Sequence, residues 1–117
     1  MYTVEQLTDI IAEAKAEARQ AADHYFQTKL GGVDQYGCGF AWTSIYELDG
    51  QRIKGNTKIG RALKKAGIDQ NWRKTFELWN PSEYPCQNVD TLEAGARAAA
   101  KVFEKYGFKA YAGSRLD

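Results

Sequence analysis

The feature that most constrains this chain lies in its first thirty residues. Val4, Leu7, Ile11, Ala14, Ala18, Ala21 and Tyr25 recur at alternating spacings of three and four. That rhythm places them along one stripe of an α-helix. Thr3 followed by Gln6 fits a capping box, and Gly31-Gly32 supplies a stop. The spacing therefore predicts a helix over residues 3–30. Such a helix is about 42 Å long, longer than a domain of this size usually needs for its own core. The stripe is bulky at Leu7 and Ile11 and small from Ala14 to Ala22, so a second backbone can approach its middle closely. This predicts a homodimer through the N-terminal helix. The alternative is a helix folded back over its own sheet.

The remaining elements follow from alternation and punctuation. Residues 39–48 read as a strand with Phe40, Trp42, Ser44, Tyr46 and Leu48 on one face and Ala41, Thr43, Ile45 and Glu47 on the other. Asp49-Gly50 signals a hairpin into a short strand at Gln51–Lys54. A short helix over 57–66 is expected to be capped by Asn56 and ended by Gly67, burying Ile59, Ala62, Leu63 and Ala66. Residues 72–79 alternate as a strand, and both prolines fall in a loop over 80–89. Asp90 with Glu93 predicts a capped helix over 91–106, and Phe108–Gly113 reads as the last strand before a four-residue tail. The order is α-β-β-α-β-α-β. It predicts an α+β fold: a long N-terminal helix plus a small mixed β-sheet with two crossover helices. The 117 residues suggest a single domain, with 1–32 as the helix and 36–117 as the sheet and its two helices.

Composition excludes several classes. Apolar residues make up 44% of the chain, too many for a disordered one. No apolar run approaches a bilayer span, and the N-terminus lacks the pattern of a signal peptide. These features predict a cytoplasmic protein. Two Cys and one His, far apart in sequence, predict neither a disulfide scaffold nor a metal site. No cofactor motif is present. Cys38 stands between Gly37 and Gly39, but nothing in the sequence places a base beside it. A Cys38 nucleophile therefore ranks below a packed thiol, and the expectation is a protein that is not an enzyme.

Charge is uneven. Residues 52–74 carry eight basic residues against Asp69 alone, +7 in a chain whose total is +1. A patch of that sign attracts anions. Within it, Lys54-Gly55-Asn56-Thr57-Lys58 joins a loop to a helix N-terminus, a place suited to a phosphate. Lys58, Arg61 and Lys65 share one exposed helix face. The three Trp are expected to be mainly core, with Trp79 the exception at a loop mouth, where Asn80 and Asn88 could help it read a base. Arg115, near the end of the chain, is a further anion ligand, or a partner for the last helix. The candidate ligand residues are Lys54, Asn56, Lys58, Arg61, Lys65, Arg73, Trp79, Asn80, Asn88 and Arg115.

The stretches CGFAW, WNPS, AGARA and YAGSRLD resemble those of a group of small proteins from tailed phages and prophages. The resemblance spans nearly the whole chain and brings no activity with it. It implies a viral protein acting in a bacterial cytoplasm, a class that includes anti-defence and host-takeover factors. The first expectation is a binder of a phosphate-bearing ligand, nucleic acid or nucleotide, including a host signalling nucleotide. The second is a protein-binding inhibitor of a host target. A small enzyme using Cys38 comes third.

Overall fold

The computed structural model describes residues 1–117. The elements are α1 (Val4–Lys29), β1 (Gly39–Leu48), β2 (Gln51–Arg52), α2 (Lys58–Lys65), β3 (Asp69–Gln70), β4 (Phe76–Trp79), α3 (Val89–Lys105) and β5 (Phe108–Leu116). The fold is α+β, with the expected long helix, two further helices and one sheet. The sheet is antiparallel throughout rather than mixed. Its central strand, β1, pairs with β5 along one side and with β4 and β2 along the other, and β3 pairs with β4. The reason lies in the crossovers. β4 and β5 point the same way but straddle β1, and β1 and β3 straddle β4. The α3 crossover from β4 to β5 skips β1, and α2 joins β2 to β3, which run in opposite directions, so strands of like direction never touch.

Three local features depart from expectation. A register shift between Ile45 and Glu47 turns the end of β1, so Leu48 packs on the core instead of sharing a face with Tyr46. Residues 72–79 are not one strand: Asn71 organises a turn by accepting from the N–H groups of Arg73 (2.8 Å) and Thr75 (3.0 Å), leaving β3 and β4 as a short hairpin. The last strand runs on to Leu116, where the sequence suggested a tail. Caps differ too. Thr3 and Gln6 form the capping box as read, but Thr57 rather than Asn56 caps α2, and Asn88 rather than Asp90 caps α3.

α1 and α3 lie together on one face of the sheet. Leu7, Ile10, Ile11, Ala14 and Ala18 share one core with Ile45, Phe76, Phe103 and Phe108. The small residues of α1 face the backbone of α3: a Cβ at Gly95 would lie 3.1 Å from the Ala18 carbonyl. The length of α1 is used along the 44 Å long axis of the molecule. Leu7 is 0% and Ile11 6% exposed within one chain. The argument for dimerisation through this stripe therefore falls away, because the cover it required comes from α3 and the sheet.

Glu13 ties α1 to the end of α3, where it meets the Lys105 ammonium and the Tyr106 hydroxyl. These two bonds, Lys105 first, hold its carboxyl below the usual carboxylate range. A group lowered in the folded state stabilises above its unfolded pKa, and that stabilisation is lost as pH falls through the folded value. Glu13→Gln is expected to melt slightly below wild type near neutral pH and to converge with it in acid. Melting curves from about pH 3 to 7 check this, and a constant offset would show that the charge is not responsible.

Candidate functional site

The helices leave the other face of the sheet bare. Its outward residues are Phe40, Trp42, Ser44 and Tyr46 on β1, Glu77 and Trp79 on β4, and Tyr111, Gly113 and Arg115 on β5. Trp42 and Trp79 are cross-strand partners, with rings parallel within 2° and centroids 5.6 Å apart. Phe40 adds to this pair at 5.8 Å from Trp79, and Tyr46 meets Tyr111 at 5.8 Å. Gly113, opposite Trp42, shapes the surface. A Cβ there would lie 2.5 Å from the indole, so the missing side chain lets the ring lie across β5. The Arg115 guanidinium sits 5.4 Å above Phe40 and makes no ion pair with α3; Ser114 reaches Glu93 instead. At the β3–β4 turn Trp72 is 84% exposed, with the Arg73 guanidinium 4.6 Å from its ring. Between this turn and the aromatic pair lies an open groove of about 690 Å³. Its one carboxylate, Glu77, accepts from the Asn71 amide.

A second hollow, of about 530 Å³, is lined by Arg52, Ile53, Lys54, Gly55, Asn56, Lys64, Gln70 and Lys74. Four of these are cations and none is an acid. The ion pairs of the molecule are Lys15–Glu83, Arg97–Glu93, Lys105–Glu13 and Lys109–Glu47, so no cation of residues 52–74 has a carboxylate partner. The two hollows have no lining residue in common, and the Lys109–Glu47 ion pair lies between them. A shallow depression between them shares Tyr46 and Thr75 with the groove and Arg52 with the basic hollow.

The structure divides the ten candidate residues into groups. Arg73, Trp79 and Arg115 line the groove, and Lys54 and Asn56 line the basic hollow. Lys58, Arg61 and Lys65 are exposed on α2 but outside both; Arg61 donates to the Asn56 carbonyl and Lys58 borders a hollow toward Met1 and Asp49. Asn80 lies in a left-handed turn at φ 43°, its side chain beside Ser82 and outside the groove. Asn88 is 1% exposed, and its amide is spent on Thr91 and Gln35. Neither of these two Asn residues is placed with Trp79 to read a base.

What the sequence reading missed is the company of Trp79. Trp42 and Trp72 are not core residues, and Tyr46 and Tyr111 are exposed. The available signal was the size pattern of β1, where Phe, Trp and Tyr alternate with Ala, Thr and Ile. The bulky set faces out because α3 comes close to the small set: the Thr43 hydroxyl donates to the Ala96 carbonyl at 2.8 Å.

Both cysteines are free thiols, Cys38 exposed and Cys86 half-buried, and burial pushes the Cys86 thiol up. No group of three or more His, Cys, Asp or Glu side chains is placed to hold a metal ion. No helix is long and apolar enough to cross a membrane. Comparison with family models, with curated proteins and with solved structures finds no match to this chain.

Proposed function

We propose that this protein binds single-stranded nucleic acid across its open sheet face and catalyses no reaction on it. The observation that carries the reading is the parallel Trp42–Trp79 pair on an uncovered sheet, bordered by cations without carboxylate partners. Bases offer π-faces of any sequence to exposed aromatic rings, and the basic border attracts the phosphates that link them. A duplex keeps its bases stacked on one another, so it gains only the second of these terms.

The test is fluorescence anisotropy of a labelled ten-nucleotide strand and of the matching duplex, titrated with salt. The strand is expected to bind more tightly than the duplex. About three to five phosphate contacts would give a log–log salt slope of roughly −2 to −3.5 for a single strand. Lys54→Glu/Lys74→Glu, which reverses two charges in the basic hollow, should weaken binding more than Lys58→Glu/Arg61→Glu, which reverses two outside it. A basic surface built for an acidic protein would bind strand and duplex alike, through charge alone and only at low salt, and that result would overturn the proposal.

A further inference from the structure

We infer that the basic hollow holds the 5′ di- or triphosphate terminus of a strand whose bases lie on the aromatic groove. This rests on the strand reading above and adds a polarity and a terminus to it. Internal phosphates are spread along a backbone, each with a single charge. A hollow that gathers Arg52, Lys54, Lys64 and Lys74 with no acid among them matches several negative charges at one place. A terminal oligophosphate has that form, and its outermost group carries a second ionisation near neutral pH. The depression that shares Tyr46 and Thr75 with the groove and Arg52 with the hollow leads from one to the other past the Lys109–Glu47 ion pair, so one strand can occupy both.

The floor of the hollow is shaped as well as charged. The Gln70 amide donates to the Lys74 carbonyl at 2.8 Å, and its oxygen lies 2.4 Å from where a Cβ on Gly55 would stand. The Lys64 ammonium would be 3.0 Å from the same Cβ. The open Cα of Gly55 thus lets the Gln70 amide and the Lys64 ammonium, which donates to the Gly55 carbonyl at 3.4 Å, meet at one corner of the hollow.

The experiment compares three competitors against a labelled ten-nucleotide RNA: the same RNA with a 5′-triphosphate, the same RNA with a 5′-hydroxyl, and free ATP. Wild type is expected to hold the triphosphate strand at least tenfold more tightly than the hydroxyl strand. Lys64→Gln/Lys74→Gln should shrink that ratio severalfold, weakening the triphosphate strand more than the hydroxyl strand. Trp79→Ala should weaken both strands and preserve the ratio. Equal affinity for the two strands in wild type overturns the inference and leaves the strand reading standing. Failure of both strands to bind overturns the strand reading itself. ATP competing as well as the triphosphate strand would assign the hollow to free nucleotides and overturn the strand terminus.

Discussion

Replacing Trp79 by Ala is expected to weaken single-strand binding by about 5- to 150-fold, the equivalent of roughly 1–3 kcal/mol for one lost base stack. Trp42→Ala/Trp79→Ala should lose more than either single variant, because the two rings form one parallel surface. The fold should tolerate the change. Trp79 is 53% exposed and both rings project from the face opposite the helices, so no core cavity opens. Trp79→Phe keeps a π-face and should recover part of the loss, whereas Trp79→Leu keeps apolar area without one and should not. Anisotropy gives the affinities, and a melt of each variant confirms that the sheet is intact. Wild-type affinity in the double variant would refute the aromatic platform.

Where the sequence could be read, periodicity and caps were at work together. The stripe of α1 and its Thr3–Gln6 box gave the helix to within a residue or so at each end. Strand β1 was legible because Phe40, Trp42 and Tyr46 alternate with Ala41, Thr43 and Ile45, a pattern broken only at Ser44 and by the register shift after Ile45. The hairpin between β3 and β4 was not. Alternation in Trp72–Trp79 runs straight through its turn, and only the Asn71 side chain, bonding to two N–H groups, shows where the chain reverses. The direction of pairing was hidden for another reason: crossover connections predict parallel strands, but not that a third strand lies between them.

The site was half legible. A local excess of basic charge shows in any window, so the segment stood out, but of the four cations in the hollow only Lys54 is among the sequence candidates, because which cations converge depends on the turn at Lys74 and the short strand at Arg52. The aromatic groove was misjudged because Trp was weighed as core-forming. That weighing assumes both sheet faces are covered. Here one face takes all the helices, and on β1 the side chains beneath α3, Ala41 and Thr43, are small because that helix lies close. The large aromatics are thereby left on the open side, with Gly113 making room for Trp42.

Asn88 gives the sharpest contrast between the two kinds of residue. Its sequence position beside the loop suggested a base-reading amide, but its amide is fully engaged. The side-chain oxygen accepts from the Thr91 N–H at 2.8 Å and the Thr91 hydroxyl at 2.9 Å, while the side-chain nitrogen donates to the Gln35 carbonyl at 2.9 Å. It thus caps α3 and fastens the segment after α1 to it. Asn88→Ala removes the cap bond from the Thr91 N–H, worth about 1 kcal/mol, and leaves the buried Thr91 hydroxyl without its partner, at about 1–3 kcal/mol more. A total of about 2–4 kcal/mol should lower Tm by roughly 10 °C or more in a domain of this size. Asn88→Asp keeps the accepting oxygen but sets a buried carboxylate against the Gln35 carbonyl and beside Asp34, so it should recover little of the loss. Strand affinity, measured well below the melting range, should be unchanged in both. An Asn88→Ala protein that melts like wild type but no longer binds a strand would return Asn88 to the ligand site.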